Sequence, residues 1–268
     1  MFREPASETQ ITHFGRLWLY LLAGLVMLFL ILPIFIVIPM SFSDSRFLQF
    51  PPQGFSWRWY ESFFGSTEWL RATRVSFVVA ILTMLVATPL GVAAAYGLHV
   101  SGLRFARTVN VMLISPLIIP VIILAVGIFY LYVRLGIVNT IGGLVMAHAI
   151  LAIPFVLVTT TSGLQQYDLN QERVARSLGA SRFTAFRTVT LPQLRSSIIA
   201  GALFAFITSL DEVVIALFVS GGTNATLTRR MFTGLRDEVD PTIAAISSML
   251  IVFSIVLLML AQFLGRKR

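Results

Sequence analysis

The chain is 268 residues long, 57% hydrophobic and 12% charged, with a mean hydropathy of +0.86; soluble domains carry about twice that share of charge, so lipid is the expected solvent for most of it. The net charge of +8 does not mark a nucleic-acid binder, because the basic residues fall between apolar stretches and not on one face of a soluble domain. Cysteine is absent, which excludes disulfides and thiolate chemistry, and His13, His99 and His148 are too far apart in sequence for ligand spacing, so neither metal nor cofactor is expected.

Crossing about 30 Å of hydrocarbon takes about 20 apolar residues in a helix. Six stretches qualify, at 17–40, 75–97, 108–133, 141–163, 197–220 and 242–264. The expected fold is therefore an all-α membrane protein of six transmembrane helices, folded as a single domain over 1–268. The first stretch follows Arg16 but is too long for a signal-peptide core, and no small-x-small cleavage site follows, so it reads as a retained anchor. Between it and the second lies "FSWRWYESFF", whose Trp57, Tyr60 and Phe64 recur at helical spacing and suit an interfacial aromatic helix. Pro33, Pro39, Pro89, Pro116, Pro120 and Pro154 interrupt the spans, as kinks commonly do in membrane helices. Gly142 and Gly143 open the fourth span and suit close helix packing.

Six spans put both termini on one side. With the termini cytoplasmic, twelve basic residues lie inside and eight outside, and the tail "GRKR" follows the last span directly, so the positive-inside rule places both ends in the cytoplasm.

Residues 168–195 then form a cytoplasmic segment rich in Arg (Arg173, Arg176, Arg182, Arg187) between spans four and five. Asp168 with Gln171 has the form of an N-cap and its capping-box partner, so a helix should start there and run to Leu178. Gly179 can take the left-handed conformation that ends it, Ser181 can cap a second helix, and Pro192 interrupts the path into span five. The spacing predicts a helix–turn–helix elbow at the inner membrane face, with Val174, Leu178, Phe183 and Phe186 available to pack; a basic loop held to anionic lipid is the plainer alternative.

Span five carries the loudest polar feature inside an apolar stretch, Asp211 and Glu212. Counted from Ser197, Asp211 lies about 21 Å along a helix, toward the outer side. An intramembrane carboxylate faces a bundle interior or a wet cavity, since exposing it to lipid costs about 2.5–3.5 kcal/mol. Thr208 shares the face of the pair and Phe204 extends it by a turn. A hydroxyl, two carboxylates and a ring in line suit an organic cation, through ammonium–carboxylate pairs and cation–π attraction. A structural ion pair and a proton relay are competing uses of the same residues. Beyond span five, "TLTRRMFTGLRDEVDP" should make a short polar helix before a Pro start to span six, with contact to a partner chain left open.

The stretch "ARSLGASRFTAFRTVTLP" resembles the cytoplasmic EAA motif of ABC-importer permease subunits: Glu-Ala-Ala, three residues, Gly, nine residues, Ile-x-Leu-Pro. Ala175, Gly179, Leu191 and Pro192 match in register, and Val189 replaces Ile. Arg173 stands at the expected Glu, with Glu172 one place earlier, and Val174 replaces the first Ala. The resemblance implies that Glu172, Arg173, Val174, Ala175, Arg176, Ser177, Leu178, Gly179 and Ala180, with Leu191 and Pro192, form the coupling elbow that docks into an ATP-binding subunit. Residues 206–248 are in turn similar to spermidine/putrescine-type permeases, a likeness that extends more loosely over the chain.

The family then implies a permease subunit of a bacterial inner-membrane importer for putrescine, spermidine or another small organic solute. Its partners would be a dimer of ATP-binding subunits, a second homologous permease, a periplasmic substrate-binding protein and membrane lipid. The chain has no Gly-x-x-x-x-Gly-Lys-Ser/Thr loop, so ATP hydrolysis is expected in the partner and not here. A self-sufficient secondary transporter would show matched hydropathy repeats, which are not evident, and an intramembrane enzyme would need a nucleophile–base pair or metal cluster.

Overall fold

The computed structural model describes residues 14–237 and 240–265. Among these there is no sheet, only an isolated antiparallel bridge between Ser43 and Phe55. The chain divides into two compact units, Met1–Gly65 with Val239–Phe253, and Ser66–Glu238 with Ser254–Arg268.

In the first unit, α1 (Leu17–Ser41) is apolar on every side and exposed over most of its length, burying only toward its C-terminal end, the pattern of a helix solvated by lipid. Ser41 at its end shares a 2.8 Å hydrogen bond with the Tyr60 hydroxyl of α2 (Arg58–Gly65). Phe42, Trp57 and Tyr60 pack as an aromatic cluster with ring centroids 4.9–5.3 Å apart.

The second unit is built on α3 (Thr67–Val100), begun by Ser66, whose side chain accepts a hydrogen bond from Trp69 N. It continues through α4 (Ala106–Ile114), α5 (Val121–Leu135) and α6 (Ile141–Gln165), the last capped by Thr140 Oγ1 at Gly143 N. Then come α7 (Asn170–Ser177), α8 (Arg182–Ala185), a wide turn at Phe186–Thr190, α9 (Leu191–Gln193), α10 (Arg195–Asp211), α11 (Val214–Val219) and α12 (Leu227–Asp237). The last helix, α13 (Thr242–Gly265), belongs to the first unit as far as Phe253 and to the second from Ser254.

Three helices make the heart of this unit. Val75 and Val79 of α3 pack on Leu144 and Val145 of α6; further along, Ala87 and Val92 meet Ala152, Val156 and Ala205; at the far end Ala95 meets Leu157, Leu164 and Leu194. The register runs the same way along α3 and α6 and opposite along α10. Two glycines permit the approach. A Cβ on Gly91 would lie 2.6 Å from Val156 Cβ, and one on Gly201 would lie 3.1 Å from Val156 Cα, so Val156 is gripped from both neighbours. Gly143 is instead tight against the loop that precedes its own helix, where a Cβ would lie 2.6 Å from Ile137 O, and Gly142 faces open space, so the expected Gly pair does not set the approach of these three helices. Thr83, His148 and Ser209 form a buried polar layer in the three helices, in which His148 Nδ1 and Ser209 Oγ are 2.8 Å apart. A second core joins Ala125, Ile128 and Tyr132 of α5 to Ala147 and Leu151 of α6 and to Ile215 and Val219 of α11.

Among the described residues, four helices are long and apolar enough to cross a membrane, or up to six spans if each of two bent pairs, Ala106–Leu117 with Val121–Leu135 and Arg182–Gln193 with Arg195–Asp211, is one span. The continuous helices expected over 108–133 and 197–220 are both corrected. In the first, Ser115–Leu117 forms a tight turn and Pro120 is extended (φ −53°, ψ 124°), so the flanking helices meet at 94°. Pro116 and Pro120 each remove a backbone donor and crowd the preceding turn. In the second, α10 stops at Asp211 because Glu212 is extended (ψ 113°), and α11 starts afresh at Val214. A further 77° bend separates Arg182–Gln193 from Arg195–Asp211.

Candidate functional sites

Residues 168–195 begin with Asp168, whose Oδ1 accepts from Asn170 N at 2.9 Å, one residue earlier than a capping box would place the bond. Helix α7 ends in paired bonds, Gly179 N to Arg176 O (3.0 Å) and Ala180 N to Ala175 O (3.1 Å), with Gly179 at φ +93°. This closure satisfies two terminal carbonyls and needs a residue tolerant of positive φ. Ser181 Oγ then accepts from Thr184 N at 3.1 Å and starts α8. The wider winding at Phe186–Thr190 precedes Pro192 and displaces the carbonyl that its ring would strike.

Within this segment Glu172 points inward and is 7% exposed. The Tyr96 hydroxyl, from the end of α3, donates to it at 2.7 Å from Oε1 and 2.9 Å from Oε2. Thr190 Oγ1 donates to Oε2 at 2.9 Å, and Tyr167 OH lies 3.1 Å from Thr190 Oγ1. Since Thr190 has given its proton to Glu172, Tyr167 is the donor in that last bond. The Tyr96 ring also packs on Phe186, centroids 4.5 Å apart. One carboxylate thus ties α7 to the end of α3 and to the approach to α10. Sequence reasoning missed Tyr96, Tyr167 and Thr190, because nothing in local spacing reports a bond across 76 residues.

Outward, the segment presents cations and apolar knobs. Val174 is 58% exposed, Leu178 83% and Phe183 71%; Arg173, Arg176, Arg182 and Arg187 are exposed as well. Gln193 Nε2 donates to Gln171 Oε1 across the segment. Ala175 is half-buried, Ser177 donates to Val174 O at 2.8 Å, and Leu191 and Pro192 make α9.

The second site is the break between α10 and α11. The carboxylates of Asp211 and Glu212 differ in what they touch. Glu212 Oε1 accepts from Ile215 N at 2.9 Å and so caps α11, while its carbonyl accepts from Thr228 Oγ1 at 3.0 Å. Asp211 is exposed and its carboxylate has no hydrogen bond or ion pair among the described residues. Thr208 lies one turn before it and Phe204, half-exposed, two turns before it on the same side of α10. The Phe204 ring stacks with Phe155 of α6, centroids 6.2 Å apart and planes 23° apart.

Helix α12 braces the break from beyond. Arg229 Nη1 donates to Ala216 O at 3.2 Å, and burial lowers the pKa of this guanidinium. Leu227 N donates to Ser76 Oγ at 2.8 Å. Arg230 pairs with Glu68 and lies 4.9 Å over the Trp69 ring. No cluster of three or more His, Asp or Glu able to hold a metal occurs among the described residues.

Residues 87–268 match the model of a family described as the binding-protein-dependent transport system inner membrane component. The chain is 33% identical to the spermidine/putrescine transport system permease protein PotC of Haemophilus influenzae, over 89% of this chain and 93% of that one. It is 31% identical to the putrescine transport system permease protein PotI of Escherichia coli K12, over 87% of this chain and 85% of that one. In fold it is similar to a chain of a bacterial ABC transporter that imports the polysaccharide alginate, with TM-score 0.75, 15% identity, and 93% of this chain and 95% of that one covered. A structure of bacterial alginate transporter in complex with its pentasaccharide-bound periplasmic protein gives TM-score 0.70 at 16% identity, covering 93% of both chains.

Proposed function

The chain belongs to the family of binding-protein-dependent transport system inner membrane components, and we propose that it forms half of the translocation path for a small organic cation of the putrescine and spermidine class. It is a transport subunit and not an enzyme. It acts as one permease domain in a bacterial inner membrane, with both termini and the 168–195 elbow on the cytoplasmic side. A second, homologous permease completes the path, a periplasmic binding protein delivers the amine, and a dimer of ATP-binding subunits docks on the elbow.

The observation that carries the cation assignment is Asp211: an exposed carboxylate without a partner among the described residues, at the end of α10, in line with Thr208 and the Phe204–Phe155 rings. A carboxylate at membrane depth that pairs with nothing among the described residues is costly unless something else visits it. An ammonium group does so, and rings two turns away attract a second cationic centre. Glu212 belongs to the same locus in a different capacity, since its oxygen holds the first turn of α11 and keeps the break open beside Asp211. At the other end, the bonds of Glu172 to Tyr96 and Thr190 give motion of the elbow a direct hold on α3 and on the start of α10.

The test is ATP-driven uptake of labelled putrescine and spermidine by proteoliposomes holding this chain with its co-encoded permease, ATPase and binding protein. Asp211→Asn should lower uptake by at least about thirtyfold, the kinetic equivalent of roughly 2 kcal/mol for losing one member of a desolvated charge pair. Assembly and basal ATP hydrolysis should survive. Unchanged uptake in Asp211→Asn would remove this residue from the path. An assembled, ATP-hydrolysing complex that imports neither amine would remove the polyamine assignment.

A further inference from the structure

Beside the buried Glu172 is a cavity of about 360 Å³, lined by Tyr96, Val100, Glu172, Arg176, Arg182, Phe183 and Phe186. Both oxygens of Glu172 are already engaged by Tyr96 and Thr190. The guanidinium groups of Arg176 and Arg182, in contrast, have no hydrogen-bond or ion-pair partner among the described residues. Arg173, where the family pattern has an acid, is exposed and donates only to Asn170 Oδ1 at 3.2 Å. The outward chemistry of the elbow is thus cationic around an apolar rim of Val174, Leu178 and Phe183, and its acid is turned inward.

We infer that the ATP-binding subunit that serves this permease carries an acidic side chain that enters this cavity and pairs with Arg176 and Arg182, so that partner choice rests on an electrostatic polarity set by this chain. The inference rests on the coupling reading above and goes beyond it by specifying the chemistry of the partner's cleft. A cavity walled by α3, α7 and α8 with two unpaired guanidinium forks suits a carboxylate, which accepts bidentate hydrogen bonds from such forks. The exposed apolar knobs beside it match the mixed composition of a protein–protein contact, an apolar centre with charged groups that set register. Arg176 and Arg182 lie well inside the 168–195 segment, whereas Arg104, Arg107 and Arg195 sit beside the spans, where lipid phosphates are reached first.

The experiment uses the assembled transporter in detergent, purified through a tag on this chain, and measures ATP-binding subunit retained per permease pair between about 0.05 and about 0.5 M salt. Wild type should lose the subunit progressively as salt rises. Arg176→Glu with Arg182→Glu should retain at least about tenfold less at the lowest salt, as reversal of a desolvated interfacial charge does. Arg176→Gln with Arg182→Gln should fall between and lose its salt dependence, and Arg107→Glu, an exposed arginine outside the elbow, should behave as wild type. Co-elution of the two permease chains shows that each variant has folded. Retention by the double Glu variant equal to wild type, or equal weakening by Arg107→Glu, overturns the inference. So does unchanged retention coupled with loss of bound phosphatidylglycerol, which would assign the cavity to lipid. Absence of the ATP-binding subunit from the wild-type complex instead overturns the coupling reading itself.

Discussion

Tyr96 has one proton and offers it between both oxygens of Glu172, at 2.7 and 2.9 Å. Replacing it with Phe leaves the packing against Phe186 but deprives a buried carboxylate of a donor, which costs roughly 1–3 kcal/mol. The loss falls on the join between α7 and α3, so Tyr96→Phe should raise the ATP hydrolysed per amine imported and quicken protease cutting within 168–195. A variant with wild-type stoichiometry and wild-type cutting would show that the join does not transmit motion. The two carboxylates at the α10 break separate in the same manner. Glu212→Gln keeps an oxygen for Ile215 N and should retain most uptake, whereas Glu212→Ala loses the cap and roughly 1 kcal/mol of stability in α11. Uptake measured beside Asp211→Asn reads the difference directly: if Glu212→Gln fails as completely as Asp211→Asn, the capping role is insufficient. From sequence the two residues were indistinguishable neighbours; only the backbone break gives one a donor and leaves the other open.

At the scale of elements, the grip on Val156 sets how closely α3, α6 and α10 can approach. Gly91→Val inserts two methyl groups and a Cβ where Val156 already stands 2.6 Å from the ideal Cβ site. Overpacking of this kind costs about 1–3 kcal/mol and should lower both the apparent Tm in detergent and the yield of assembled complex. Gly24→Val, on the exposed α1 with nothing within 4 Å, is the control, and similar losses in both would point to insertion and not to packing. Which elements were legible in the sequence follows from where their determinants lie. Gly179 and Ser181 act within a turn of themselves, and hydropathy alone marks α1, α6 and α13. The bend at Pro116 and Pro120 had its signal in plain view, but prolines are so common in membrane helices that they do not by themselves distinguish a kink from a 94° break. The break at Glu212 has no Gly or Pro at all. A carboxylate there could be an intramembrane charge on a continuous helix or the cap of a new one, and hydropathy gives both the same value. The packing glycines, Gly91 and Gly201, stood unmarked because their meaning depends on Val156 in a third helix.

For the molecule as a whole, the proposal requires a direction through the membrane, and the charge asymmetry that suggests one is only twelve against eight. The absence of cysteine makes the chain suited to a direct test, since any thiol introduced is the sole one. Ser177, exposed on α7, and Thr223, exposed in the short turn before α12, lie in segments that the orientation puts on opposite sides. In intact spheroplasts, Thr223→Cys should react with a membrane-impermeant maleimide and Ser177→Cys should not; permeabilisation should equalise them. Docked ATP-binding subunits would then protect Ser177→Cys in the permeabilised membrane, and high salt would relieve that protection. The reverse pattern in intact cells would place the elbow outside, where no ATP-binding subunit could reach it, and would end the coupling reading at once. If Thr223→Cys labels from outside while Ser177→Cys remains equally reactive with and without the ATPase, the topology stands and the docking surface lies elsewhere. Orientation and docking are thus decided by two residues and one reagent, because the elbow can transmit the energy of ATP only if it lies on the side where ATP is bound.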